Sequence, residues 1–283
     1  MNISFDLPAL LCYNTKERKI DMVVYFDVDG TIIDNKTQII PDSTVRAVKK
    51  LREKGHIPVI NTGRPYTHID PRVRAIPFTA WICACGSEIW LKGERIYWSV
   101  PSLETCRYTI DSVRECGMQA VYEADNGLVL SDGNYSQHDQ CVKKLNIMRD
   151  RDFIIREVDT LQEPAFIKFM CYEWPGCDRE EFLRRMEGRF EGVDRGKGRL
   201  EFISFGCDKA RGMHILMDHL KIPMEDSLAI GDSTNDLPMI RTAHHTVCMG
   251  DGMEPLKMVA EYITAPVLED GVEKALIHFG LIE

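Results

Sequence analysis

No run of about 18 apolar residues occurs in this 283-residue chain, so no segment has the length of a membrane-spanning helix. None of the ten cysteines stands in a Cys-x-x-Cys pair or at zinc-finger spacing, which removes the usual sequence signals of a structural zinc site. Several lie in apolar segments, where free cysteine packs as a small hydrophobe, and a reducing cytoplasm is the expected compartment. Basic excess is lacking too. Lys and Arg number 35 against 44 Asp and Glu, a formal net charge of -9, which argues against a general nucleic-acid binder. Internal repeats and low-complexity stretches are missing. The N-terminal apolar stretch, Leu7 to Leu11, is short, follows Asp6 and has no basic segment before it, so it makes a poor signal peptide. Residues 1–21 are expected to be an N-terminal extension, either an accessory arm or sequence upstream of the true start. What remains is a soluble globular composition, 44% hydrophobic and 28% charged, long enough for one large or two ordinary domains.

The most informative segment is Asp27-Val28-Asp29-Gly30-Thr31, directly after the apolar run Val23-Val24-Tyr25-Phe26. Four apolar residues followed by two carboxylates, a glycine and a hydroxyl read as a buried strand that ends at a reaction centre. Two aspartates one residue apart repel unless a cation lies between them or one is protonated. A hard divalent ion such as Mg2+, which takes oxygen ligands, resolves that conflict. Alone, Asp29-Gly30 is also an ordinary turn dipeptide.

Beyond Thr31 the chain alternates. Helix signals follow Pro41-Asp42-Ser43, with Val45, Val48 and Leu51 at helical spacing and Gly55 at the end. Ile57 to Ile60 is the next strand, and it leads into Asn61-Thr62-Gly63-Arg64. A third strand is expected at Trp81 to Ala84, with Cys83 and Cys85 on one face. From about Glu88 strands and helices mix in an α+β manner. The first pattern returns at Arg199 to Phe205, then a helix from Lys209, and then the strand Ser227 to Ile230 ending at Gly231-Asp232-Ser233-Thr234-Asn235-Asp236. Lys209 follows Thr62 by 147 residues, whereas one βαβ unit needs only about 30. A domain-sized piece is therefore inserted into a parallel, doubly wound α/β core. The expected division is a core of residues 22–87 and 199–283 with an inserted module of residues 88–198.

Four segments thus fall at carboxyl ends of core strands or at the start of a core helix, where ligands of open α/β sheets bind. Each carries a group that phosphoryl transfer needs, since that reaction is mostly positioning and charge neutralisation. Asp27 is the candidate nucleophile and Asp29 the candidate general acid/base. Thr62 offers a hydroxyl and Gly63 an open backbone N–H to phosphate oxygens. Lys209 brings a compact positive charge to a helix start. Asp232 is the third metal-ligand candidate after Asp27 and Asp29. Asn235 is assigned to the phosphate and Asp236 to support, holding Lys209 or a metal-bound water.

Taken in order, Asp27-x-Asp29-Gly30-Thr31, Thr62-Gly63-Arg64, Lys209 and Gly231-Asp232-x-x-Asn235-Asp236 resemble the four motifs of the haloacid dehalogenase superfamily. The insertion between the second and third resembles the class IIB cap of its Cof-type phosphatases, and the likeness spans about residues 22–283. The resemblance implies a Rossmann-like core, an α+β cap over the site, Mg2+ as cofactor, and a metal contact of Asp29 through its backbone carbonyl. It implies a cytoplasmic phosphatase for small phosphorylated metabolites such as sugar phosphates or phosphorylated cofactors. Cys85-Gly86-Ser87 and Ala210 depart from the residues common at those places, without removing a catalytic group. A hexose-phosphate mutase of the same superfamily and a non-catalytic phospho-ligand sensor are the rival readings. His244-His245, Trp90, Tyr97, Trp98 and Trp174 are expected to be structural, and the basic run Arg195 to Arg199 a solvated linker.

Overall fold

A computed structural model describes residues 22–283, and the expectation for residues 1–21 lies outside them. Among the described residues the strands are β1 Val23–Phe26, β2 Ile57–Asn61, β3 Ala80–Cys83, β4 Glu88–Leu91, β5 Glu94–Trp98, β6 Gln119–Glu123, β7 Leu128–Ser131, β8 Ile154–Glu157, β9 Lys168–Tyr172, β10 Phe190–Asp194, β11 Arg199–Ser204, β12 Ser227–Gly231, β13 His245–Cys248 and β14 Tyr262–Ile263. They form two sheets, ordered β14-β13-β12-β1-β2-β3-β4-β5 and β10-β11-β9-β6-β7-β8.

β1 lies at the centre of the first sheet because Val23, Val24, Tyr25 and Phe26 are all fully buried, as a strand covered on both faces must be. Val24 and Phe26 join Ala47, Val48 and Leu51 of helix Asp42–Glu53 and Val272, Ala275 and Leu276 of helix Gly271–His278. On the other face, Val23 and Tyr25 meet Met213, Leu216 and Met217 of helix Lys209–Leu220. Each fully buried aliphatic side chain of this kind contributes about 1.5–3 kcal/mol. β1 pairs in parallel with β2 and β12, with Phe26 opposite both Ile60 and Ile230. That register puts Asp27, Asn61 and Gly231 level with one another at the carboxyl edge.

The second sheet is antiparallel except for the β7–β8 pair. The two-residue period sends Phe169, Cys171, Leu200 and Phe202 to one face, against Ile110 and Val113 of helix Leu103–Glu115 and Phe182 of helix Arg179–Met186. Phe169 and Phe202 stack across the strands at 4.7 Å. Lys168 and Glu201 therefore fall on the opposite face.

The expected cut points at 88 and 199 do not coincide with strand pairing. β4 and β5 continue the first sheet as an antiparallel meander from β3, and β11 belongs to the second sheet between β9 and β10. Alternation alone cannot tell which sheet a strand joins. The α+β stretch that starts at about Glu88 includes β4, helix Asp139–Asp150, β8 and β10. That helix buries only Cys141, so its apolar signal is weak. Cys83 and Cys85 do not share a strand face. Cys83 ends β3, while Cys85 lies in the turn after it with φ +53°.

Candidate active site

Asp27 is the first residue past β1, and its N–H continues the ladder to Ile230 O at 3.0 Å. Its carboxylate is only 3% exposed. Lys209, at the first position of helix Lys209–Leu220, donates from Nζ to Asp27 Oδ1 at 2.6 Å and to Asp236 Oδ1 at 2.5 Å. Two features hold that helix start in place. Asp208 caps it by accepting from Arg211 N at 2.7 Å, and Asn61 Nδ2 at the end of β2 donates to Lys209 O at 3.0 Å. Lys209 is 1% exposed, and such burial of an ammonium is sustained only by close carboxylates, which raise its pKa.

Asp236 Oδ2 accepts from the backbone N–H groups of Asp232 and Ser233 at 3.0 and 3.1 Å, so both of its oxygens are engaged. Asp232 differs. Its Oδ1 is buried with no partner among the described residues. Its Oδ2 lies 2.2 Å from where a Cβ on residue 30 would stand, which together with φ +84° restricts that position to Gly30. Oxygens of Asp27, Asp232 and Asp236 lie within 4.8 Å of one another. One ammonium cannot balance three such carboxylates. Burial, then the neighbouring Asp236, push the Asp27 carboxyl up to about 7, and burial, then Asp27, push that of Asp232 to about 8. A buried cluster short of positive charge, with an oxygen left unpartnered, fits a hard divalent cation. Asp27 and Asp232 are the side chains available to hold it, and Asp236 serves the lysine and the turn.

Asp29 is turned elsewhere. Both its oxygens are taken by Arg64, through a bidentate pair in which Nε donates to Oδ2 at 2.7 Å and Nη2 to Oδ1. The Asp29 side chain is therefore paired with Arg64 and not part of the carboxylate cluster. Arg64 is the site residue whose side-chain role went unread, although it stands inside the quoted Thr62-Gly63-Arg64 motif.

Thr62 is buried, and its Oγ1 accepts from Arg64 N at 3.2 Å, which leaves the hydroxyl proton for another acceptor. Thr62 O accepts from Cys85 N at 3.1 Å and Arg64 O from Ala84 N at 2.9 Å. Gly63 O accepts from Lys168 Nζ, on β9 of the second sheet, at 3.0 Å. Asn235 lies in the same turn as Asp232, with its Oδ1 bonded by the Ser233 hydroxyl. The structure thus brings Asp27, Lys209, Asp232 and Asp236 together, gathers Thr62 and Gly63 at the neighbouring strand end, and among the described residues gives the Asn235 side chain an intra-turn hydrogen bond only.

A sequence profile of haloacid dehalogenase-like hydrolases matches residues 24–276. Among curated proteins the chain is similar to 5-amino-6-(5-phospho-D-ribitylamino)uracil phosphatase YcsE of Bacillus subtilis (strain 168), at 27% identity over 92% of this chain and 96% of that one. It is also similar to the HMP-PP phosphatase of Enterobacter sp. (strain 638), at 24% identity over 90% and 92% of the two chains. Among solved structures, the subclass IIB sugar phosphatase BT4131 superposes with a TM-score of 0.72 at 26% identity, covering 92% of this chain and all of that one. The chain belongs to the haloacid dehalogenase-like hydrolase family, with the fold of a Rossmann-like core carrying a Cof-type cap. Within it, the protein is a phosphoric monoester hydrolase.

Proposed function

We propose that this enzyme hydrolyses small phosphomonoesters, such as sugar phosphates or phosphorylated cofactors, with Mg2+ and through an aspartyl-phosphate on Asp27. The observation that carries the reading is the buried Asp27–Lys209–Asp236 chain beside the unpartnered Oδ1 of Asp232. The activities of the three relatives named above, all on small phosphorylated molecules, support the same substrate class.

In this reading Asp27 attacks phosphorus with the oxygen that Lys209 does not hold, and the ester oxygen leaves with a proton from Asp29. Water then attacks the acyl phosphate, and its proton goes to Asp29. Both oxygens of Asp29 are occupied by Arg64 in the described conformation, so proton transfer requires that this fork be loosened. Lys209 neutralises Asp27 and phosphoryl charge, while the Thr62 hydroxyl and Gly63 N–H take equatorial oxygens, with Asn235 beside them. A divalent ion held by Asp27, Asp232 and the Asp29 carbonyl supplies further charge neutralisation when bound. We also place the core at residues 22–98 and 205–283 and the cap at 99–204, following strand pairing.

The test is inorganic phosphate release across a panel of phosphorylated metabolites and an aryl phosphate, with Mg2+ and with chelator. Release that depends on Mg2+ is expected. Transfer to a sugar acceptor without free phosphate would establish the mutase reading instead. Binding of phosphorylated ligands with no turnover of any would make the protein a sensor.

A further inference from the structure

Lys168 is a cap residue with no role in the chemistry above, yet it touches the core where phosphate is to be held. It lies on β9, is 6% exposed, and its Nζ donates to Gly63 O at 3.0 Å across 105 residues of sequence. Its charge is not available to a ligand. Glu201 on the adjacent strand β11 pairs with it, and Glu201 is in turn held by Arg195 through Nε at 2.8 Å and Nη2 at 2.5 Å. A lysine whose charge is already balanced acts chiefly as a directed hydrogen-bond donor.

What it binds completes a turn. The carbonyls of Thr62 and Arg64 are held from within the core by Cys85 N and Ala84 N, and the N–H of Arg64 by the Thr62 hydroxyl oxygen. Gly63 O is the carbonyl of this tripeptide that the core leaves to the cap. Gly63 N–H has no hydrogen-bond partner among the described residues, although Thr62 N and Arg64 N both have one. Fixing Gly63 O fixes the rotation of the peptide that follows it. That sets the Arg64 N–H against Thr62 Oγ1, and so the direction of the Thr62 hydroxyl proton.

We propose that Lys168 is a positioning residue for phosphoryl transfer, a cap-borne donor that sets the Thr62-Gly63-Arg64 turn when the cap is seated on the core. The inference rests on the phosphatase reading. Cap seating and phosphate binding are then one event. The turn is complete only with the cap in place, so an open enzyme binds the phosphoryl group weakly and water meets no activated phosphorus.

The experiment uses the full chain with Mg2+, an aryl phosphate substrate and orthophosphate as product inhibitor. For Lys168→Met, kcat/KM should fall by about 10- to 100-fold, and inhibition by orthophosphate should weaken by about tenfold, at temperatures well below unfolding. Lys168→Arg, which keeps a donor and a charge for Glu201, should recover most of both. A packing role alone would lower the melting temperature and leave kcat/KM and orthophosphate inhibition of the folded enzyme unchanged, and that result overturns the proposal. Where Lys168→Met does not fold because Glu201 is stranded, the pair Lys168→Met and Glu201→Leu removes the orphaned charge, and the same readings decide. An inert wild-type chain would refute the phosphatase reading and this inference together. An active wild type with an unaltered Lys168→Met variant refutes this inference alone.

Discussion

Two clusters of buried carboxylates in this protein, Asp27 with Asp232 in the core and Glu123 with Glu201 in the cap, are shifted in opposite directions. At the carboxyl edge of the core sheet, Asp27 and Asp232 are pushed up, because burial and neighbouring carboxylates outweigh the single lysine. On the cap sheet, Glu201 is held down at about 2: burial opposes this, but Lys168 and Arg195 overcome it. Glu123 is likewise lowered, with Lys144 and Lys168 prevailing over burial. The cap meets Glu123 and Glu201 with cations of its own, Lys144, Lys168 and Arg195. The core has left its cluster short of one. The difference separates groups that hold a fold together from groups arranged to receive something.

Three experiments test that contrast. The largest effect is expected from Asp27→Asn, which removes the proposed nucleophile while keeping the shape. Turnover should drop by about 10³-fold or more with an unchanged circular dichroism spectrum. Turnover like the wild type would take Asp27 out of its role. The next effect concerns stability. Glu201→Gln leaves Lys168 and Arg195 without their shared anion, and breaking a buried pair of this kind costs about 3–5 kcal/mol. Denaturant unfolding should show it, and a loss below about 1 kcal/mol would mean that the cap pairs are as weak as surface ones.

The smallest effect is the most diagnostic. Asp27 and Asp232 have folded pKa values above the ordinary carboxylate value of 3.8, so between about pH 4 and 8 the folded state binds more protons than the unfolded one. Metal-free protein should therefore gain melting temperature as pH falls from about 8 towards 5, by a few degrees. Glu201 has the opposite sign. Its folded pKa is depressed, so its stabilisation is present above about pH 4.5 and is lost as pH falls towards 2. Asp232→Asn should raise the metal-free melting temperature while abolishing the gain that Mg2+ gives the wild type. A melting temperature indifferent to pH and to Mg2+ from pH 5 to 8 would contradict the reading of the core cluster.

The core site was legible because each of its groups sits next to a strong local signal. Asp27 follows a four-residue apolar strand, Asp232 follows another, and Lys209 opens an amphipathic helix, so their meeting follows from parallel pairing alone. The division between core and cap was not. Arg199 to Ser204 alternates Leu200 and Phe202 with Glu201 and Ile203, a pattern that suits either sheet. Lys168 left one clue, a lone cation inside the apolar run Phe166-Ile167-Lys168-Phe169-Met170, but its partners lie 33 residues ahead and 105 behind. The Asp29–Arg64 pair was equally hidden, since both residues had already been read as parts of separate motifs. His245 Nδ1 lies 2.9 Å from Glu261 Oε2, and Arg195, read as solvated linker, proved to be a cap ion-pair partner.

Residues 99–102 link β5 of the first sheet to helix Leu103–Glu115, which packs on the second, and residues 205–208 link β11 of the second sheet to helix Lys209–Leu220, which packs on the first. Four residues reach at most about 14 Å. On the proposed reading, a cap held by two such short leashes would rock rather than wander, so it would return to the same seat and little chain entropy would be lost each time it shut.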